Sequence, residues 1–149
     1  MMMTSTENKP LMRVFIDTNV IVDALTDRDY KSNTSVKLLQ LIIEGQVKGY
    51  ICNKQITDLY YILKKYISNE TARRNLITTI LKTFELLPLL KGDILACIHT
   101  SINDFEDAVL EEVAKVNVIP YFVTNNTKDF KNSRVTILSP EQILTLLQL

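Results

Sequence analysis

Carboxylates that follow or interrupt apolar segments are the groups in this sequence with the clearest chemical potential. Asp17 comes directly after the apolar run 14–16, which has the composition of a buried strand. The segment 103–115 carries Asp104, Asp107 and Glu111 at positions i, i+3 and i+7, so one helix face holds three acids. Like charges on one helix face cost about a few tenths of a kcal/mol per pair. Acids grouped in this way indicate that something cationic lies nearby.

Each of these acids also has a purely structural interpretation. An Asp after a strand often caps the next helix, although Asn19 can fill that role without Asp17. Asp104 is favoured at a helix N-terminus by the helix dipole, and the rest of the acidic face would then be solvated surface. Asp58 falls outside the apolar stripe of its segment, as surface residues do, and Asp129 fits an ordinary turn.

Apolar periodicity alternates between strands and helices along the chain. The predicted strands are 13–17, 47–53, 84–90, 121–126 and 134–139, and the predicted helices are 20–26, 33–45, 54–66, 69–84, 92–102, 104–117 and 139–149. This alternation predicts an α/β fold with a parallel sheet covered on both faces. Pro88 places the third strand at an edge or an end of that sheet.

The carboxyl ends of parallel strands meet at one edge of the sheet, where α/β folds form ligand sites. Asp17 ends the first predicted strand, and the polar run 124–126 ends the fourth. We therefore expect both groups at the same edge.

Length and composition limit the class of protein. The 149 residues, 46% of them hydrophobic, predict one domain at 13–149 after a flexible tail at 1–12. Lys and Arg balance Asp and Glu at 17 each, so any binding of a polyanion must come from a local patch. Two cysteines without a CxxC motif argue against a disulfide framework or zinc site and predict a cytoplasmic protein. No apolar run approaches the roughly 20 residues of a membrane helix.

Four segments in order carry a resemblance to a known family. They are "FIDTNVIVDAL", "ITDLYYILKK", "DFEDAVLEEVAK" and "YFVTNNTKDFKNSRVTILSPEQIL". Together they resemble the PIN-domain family, specifically the single-domain prokaryotic ribonucleases related to VapC-type toxins. The resemblance implies a three-layer α/β/α sandwich with a central parallel sheet of about five strands.

The resemblance also implies roles for individual acids. Asp17 matches the first metal ligand of the family, and Asp58 matches the second acidic position, where many relatives carry Glu. Asp107 matches the third acid, with Asp104 beside it as a further ligand. The resemblance thus implies that Asp17, Asp58 and Asp107 are the catalytic residues.

The fourth acidic position stays open between two residues. Where many relatives carry Asp after the strand-end threonine, this chain has Asn126, and Asp129 is the nearest acid. Asn19 and Thr124 would orient ligands or water by hydrogen bonds.

Mg²⁺ or Mn²⁺ is the cofactor that such carboxylates imply. Both are hard cations that prefer oxygen ligands, and either would relieve the repulsion among clustered acids. A divalent ion also activates water to attack a phosphodiester and stabilises the charge that develops. That chemistry needs no Ser or Cys nucleophile and no His base, in a chain whose sole histidine is His99.

Single-stranded RNA is the substrate that the resemblance suggests, held by basic residues around an acidic pocket. The candidates are Arg28, Lys64, Lys65, Arg73, Arg74, Lys128, Lys131 and Arg134, with Tyr30, Tyr60 or Tyr61 available to stack on a base. Apolar residues of helices 54–66 and 69–84 suggest a homodimer, namely Tyr60, Tyr61, Ile62, Leu76 and Ile80. The resemblance further implies an antitoxin whose peptide blocks the acidic pocket.

Three alternatives remain at the level of sequence. The first is a PIN-fold binding module with weak or no catalysis, because Asn126 and Asp58 depart from the family's acids. The second is a phosphatase-like hydrolase with Asp17 as nucleophile, although position 19 lacks the second acid of such enzymes. The third, a Rossmann or P-loop nucleotide binder, is poorly supported, since the chain has only three glycines and none forms a phosphate cradle directly after the first strand.

Overall fold

The strands and helices alternate along the chain as the periodicity predicts. The computed structural model describes residues 10–26, 32–99, 104–130 and 133–148. The strands in these ranges are β1 (Met12–Ile16), β2 (Val47–Cys52), β3 (Glu85–Leu87), β4 (Tyr121–Val123) and β5 (Thr136–Leu138). The helices are α1 (Thr18–Thr26), α2 (Ser32–Ile43), α3 (Lys54–Leu63), α4 (Glu70–Thr83), α5 (Lys91–Cys97), α6 (Phe105–Val116) and α7 (Pro140–Leu147), with a 3-10 turn at Thr127–Asp129.

The five strands form one parallel sheet in the order β3-β2-β1-β4-β5. Ile16 pairs with Val123, so β1 and β4 lie side by side and end at the same edge. The short strand β3 is at the border of the sheet and ends directly before Pro88, in agreement with the prediction from this proline, which has no N–H to donate to a strand ladder.

Both faces of the sheet are buried, which gives the predicted three-layer sandwich. Successive side chains of a strand point to opposite faces. Val14 and Ile16 belong to a core cluster with α1, α2, α3, α4 and α7, whereas Phe15 belongs to a second cluster under α6. On that second face Phe15 stacks on Phe122, with ring centroids 5.2 Å apart. This two-sided burial is the reason that the strands are continuous apolar runs in the sequence.

Local sequence signals fix several helix ends. At the start of α7, Oγ of Ser139 accepts a hydrogen bond from the backbone N–H of Gln142, and Oε1 of Gln142 accepts one from the backbone N–H of Ser139. Pro140 is the first residue of this helix. Asn69 caps α4 through the N–H of Ala72. Within the described ranges, no helix combines the length and apolarity needed to cross a membrane.

Candidate metal centre

Asp17 and Thr124 meet where β1 and β4 end. The backbone N–H of Asp17 donates to the carbonyl of Val123 at 2.9 Å, which extends the sheet by one bond. The hydroxyl of Thr124 then donates to Oδ2 of Asp17 at 2.8 Å. The prediction that the two polar groups share one edge is therefore confirmed.

The carboxylate of Asp17 is buried and held on several sides. Its Oδ1 accepts the N–H of Thr18 at 2.8 Å, and its Oδ2 accepts Nδ2 of Asn19 at 3.3 Å. Burial raises the pKa of Asp17 above its usual range, while the bonds from Thr124 and Thr18 oppose that shift. Asn19 and Thr124 thus act on Asp17 itself.

Asp17, Asp58 and Asp107 line one cleft, although they are far apart in sequence. The cleft has a volume of about 260 Å³, and its other lining residues are Thr18, Lys54, Tyr61, Ile62, Glu106 and Leu110. Among the residues that the structure describes, no three His, Cys, Asp or Glu side chains are grouped closely enough to hold an ion by themselves. The fold thus gathers the three acids in one cleft, and the described residues do not form a closed cage of ligands around it.

Asp107 is also strongly affected by this arrangement. Burial raises its pKa to about 7, and the negative charges of Asp17, Asp104 and Asp129 contribute to the rise in that order. Asp104 and Asp129 also raise the pKa of Asp17. These four acids therefore share one electrostatic environment, in which a cation would be favoured.

Asp104 has a structural role in addition. Its Oδ1 accepts the N–H of Glu106 at 2.8 Å and that of Asp107 at 3.3 Å, which caps α6. The cap fixes the first turn of α6 and with it the position of Asp107.

Of the two candidates for the fourth acidic position, Asp129 carries the charge. It lies in the 3-10 turn after β4 and is exposed. The backbone N–H of Asn126 donates to Oγ1 of Thr124 at 3.1 Å, so Asn126 supports the group that holds Asp17.

Lys54 and Gln55 are site residues that the sequence motifs did not indicate. Lys54 pairs with Asp58, with Nζ 2.8 Å from Oδ2. Gln55 is completely buried, and its Nε2 donates to the carbonyl of Ile16 at 2.9 Å and to Oγ1 of Thr18 at 3.1 Å.

Gln55 also accepts the N–H of Cys52 on Oε1 at 2.7 Å. One amide therefore connects the ends of β1 and β2 to the helix that carries Asp58. The sequence signal that could have identified Gln55 is its position as a polar residue within the apolar stripe of α3.

The interpretation of the acidic face of α6 as solvated surface is wrong for Glu111. Its side chain is fully buried, and its Oε1 accepts Nε of Arg134 at 3.0 Å. The guanidinium of Arg134 also lies 2.8 Å from Glu112. Glu111 belongs to this ion-pair network and is not part of the cleft. Phe105 and Val116, the first and last residues of α6, are exposed although they are apolar.

The basic residues predicted to contact RNA differ in their exposure and in their existing ion pairs. Arg73 is buried, donates to the carbonyl of Ile67 at 2.6 Å and lies over the ring of Tyr60, so it stabilises α4. Arg74 pairs with Glu70 on the surface. Lys64, Lys65 and Lys128 are exposed, whereas Arg28, Tyr30 and Lys131 fall outside the described residues.

The fold and the site together define a class of protein. Its members are parallel α/β sandwiches with a cleft, lined by carboxylates, at the edge of the sheet where the strands end. A family model described as "PIN domain" matches residues 13–128. The chain belongs to the PIN-domain family, as its motifs indicated.

Individual relatives agree with this assignment. The chain is 25% identical over 135 residues to a protein of Aquifex aeolicus named Ribonuclease VapC1, covering 87% of this chain and 92% of the relative. It is similar in fold to a protein of Pyrobaculum aerophilum, with a TM-score of 0.65, 14% identity and coverage of 92% and 96%. A chain of a toxin–antitoxin complex from Klebsiella pneumoniae has a TM-score of 0.63, 20% identity and coverage of 85% and 97%.

Proposed function

We propose that this protein is a ribonuclease that depends on Mg²⁺ or Mn²⁺, hydrolyses RNA phosphodiesters in the cytoplasm and serves as the toxin of a toxin–antitoxin pair. The observation that carries the proposal is the shared cleft of Asp17, Asp58 and Asp107, in which Asp17 and Asp107 both have raised pKa values. Membership of the PIN-domain family and the similarity to Ribonuclease VapC1 support the choice of RNA.

The residues of the cleft fit a hard divalent ion. Asp17 and Asp107 present carboxylate oxygens that repel each other when ionised, and a dication removes that repulsion. Mg²⁺ is commonly bound through one or two carboxylates together with water and substrate phosphate, so a closed cage is not required. We assign Asp17 and Asp107 as the principal ligands, with Asp58, Asp104 and Asp129 contributing charge, and Asn126 as the weakest candidate.

The chain's own residues then divide the work among them. Thr124, Asn19 and Thr18 fix the rotamer of Asp17, so its oxygens need no reorganisation during the reaction. When bound, Mg²⁺ or Mn²⁺ supplies Lewis acidity toward the scissile phosphate and an activated water. The exposed Lys64, Lys65 and Lys128 hold flanking phosphates, while the exposed ring of Tyr61 lines the cleft and stacks on a base.

An antitoxin and a second copy of the chain are the protein partners that we propose. The antitoxin would close the cleft, and the likeness in fold to a chain of a toxin–antitoxin complex supports a partner of this kind. The predicted homodimer surface needs revision, because Ile80 is buried in the core. Exposed apolar residues lie on and beside α5, namely Leu90, Leu95 and Ile98, and Leu81 is exposed on α4.

A PIN-fold binding module with weak or no catalysis is the second candidate. It is favoured by the lack of a group of three acids at ligand distance in the described part of the chain. Such a module would bind RNA or protein without needing a divalent ion.

Incubation of the purified protein with single-stranded RNA and Mn²⁺, beside a chelator control, separates the two candidates. We expect cleavage that the chelator abolishes and that Asp17→Asn or Asp107→Asn lowers about 1,000-fold, equivalent to roughly 4 kcal/mol of transition-state stabilisation. Glu44→Gln, at an exposed acid outside the cleft, is the matched control. Absence of cleavage would favour the binding module, whereas cleavage that survives the chelator or both Asn variants would refute the proposed metal-dependent site.

A further inference from the structure

Lys54 is a cation placed among the acids of the cleft. Its Nζ lies 2.8 Å from Oδ2 of Asp58, and Glu106 is a further acid whose charge it feels. Of the described residues that line the cleft, Lys54 alone carries a positive charge. It is therefore the one cationic side chain of this described lining that can attract a phosphate.

Helix energetics do not account for Lys54 at this position. It is the first residue of α3, where the helix dipole disfavours a positive charge. A lysine four residues before its acid is also the less favourable order for a helical ion pair. The lysine side chain is only 28% exposed and that of Asp58 is 46% exposed, so the pair forms at the expense of partial desolvation.

We propose that Lys54 is a phosphate-binding residue of the cleft. In the metal-free protein Lys54 neutralises Asp58. When a divalent ion lies beside Asp58, the ammonium group of Lys54 leaves this carboxylate and binds an RNA phosphate. This inference rests on the proposed ribonuclease function. The long stem and compact ammonium of lysine suit such an exchange, because its charge can move between partners without losing a fixed hydrogen-bond geometry.

This exchange of partners predicts that Lys54→Gln changes the affinity for Mn²⁺ and the affinity for RNA in opposite directions. Mn²⁺ should bind about tenfold more tightly, because a competing cation has been removed from Asp58. RNA should bind about tenfold more weakly, and the salt dependence of log K should fall by about 0.7 because one phosphate contact is lost. If Lys54 had only a structural role, the substitution would weaken the binding of both Mn²⁺ and RNA.

The test combines calorimetric titration of Mn²⁺ in the absence of RNA with cleavage kinetics at saturating Mn²⁺. We expect Lys54→Gln to raise KM about tenfold with kcat changed less than threefold, and Lys54→Arg to restore KM. Lys82→Gln, at an exposed lysine of α4, is the control, and thermal unfolding verifies that each variant folds.

The outcomes separate this proposal from the proposed function. If the wild type neither binds Mn²⁺ nor cleaves RNA, the ribonuclease assignment fails, and the role of Lys54 fails with it. If the wild type does both and Lys54→Gln leaves Mn²⁺ affinity and KM unchanged, or weakens Mn²⁺ binding, the role of Lys54 alone is overturned.

Discussion

The hydroxyl of Thr124 donates a 2.8 Å hydrogen bond to Oδ2 of Asp17, across a separation of 107 residues in sequence. Both residues sit where neighbouring parallel strands end, and Thr124 is fully buried. The same oxygen of Thr124 accepts the N–H of Asn126 at 3.1 Å. One hydroxyl thus connects the carboxylate of Asp17 to the turn that carries Asp129.

Replacing Thr124 by Val should weaken the site while preserving its shape. Loss of the hydroxyl removes the bond that holds Asp17 and leaves the N–H of Asn126 without this acceptor. We expect Mn²⁺ affinity to fall about 10–100-fold, as is typical when a group that orients a metal ligand is removed. Calorimetric titration measures this loss, and Thr124→Ser should recover most of the affinity. Equal losses in Val and Ser variants would argue against the hydrogen bond as the cause.

Gln55→Leu should destabilise the whole carboxyl edge of the sheet. The substitution leaves the carbonyl of Ile16 and the N–H of Cys52 unpaired in the interior, each at a cost of about 1–3 kcal/mol. We therefore expect the free energy of unfolding to fall by about 2–4 kcal/mol, measured by urea denaturation. Gln46→Leu, at an exposed glutamine, should change it by less than about 0.5 kcal/mol. A small effect at Gln55 would mean that water replaces its amide.

Asp107 should make stability fall as pH rises, in the absence of divalent ions. Its pKa is about 7 in the folded protein against 3.8 ordinarily, so between these values the folded state binds more protons than the unfolded state. Stability is therefore highest below about pH 4 for this group and declines until about pH 7. Allowing for solvent screening, we expect Asp107→Asn to raise stability at pH 8 by about 1 kcal/mol, or 2–4 °C in Tm.

Thermal unfolding from pH 4 to pH 8 with and without Asp107→Asn measures this contribution. Mn²⁺ added at pH 8 should stabilise the wild type more than the Asn variant, since the ion removes the same repulsion. An identical pH profile for the two proteins would contradict the raised pKa.

Arg134→Met should lower stability and leave the cleft intact. Glu111 is fully buried, and the guanidinium of Arg134 at 3.0 Å compensates its charge. Removing one partner of a buried pair costs about 3–5 kcal/mol. Urea denaturation should show this loss, whereas the double variant Glu111→Leu/Arg134→Met should regain much of it. Unchanged Mn²⁺ affinity in the double variant would verify that this network is separate from the metal centre.

Short-range patterns in the sequence determined the fold and the principal acid. Continuous apolar runs between helical periodicities predict a parallel sheet buried on both sides, and Pro88 places β3 at its border. The position of Asp17 follows from these patterns, because a residue after a parallel strand must lie at the carboxyl edge. The motifs around Asp58 and Asp107 added the remaining acids through resemblance to the PIN-domain family.

Only the tertiary structure decided how those acids are partnered. Glu111 and Asp107 are four residues apart on one helix, yet Glu111 pairs with Arg134 and is buried whereas Asp107 lines the cleft. The contacts of Gln55 with Ile16 and of Thr124 with Asp17 join residues 39 and 107 positions apart. The periodicity of a helix or strand shows which of its sides is apolar. It does not show which side chain, distant in sequence, forms a hydrogen bond or ion pair with a polar group on that element. Burial and neighbouring charges raise the pKa values of Asp17 and Asp107, so the electrostatics of the site emerged only when the chain was folded.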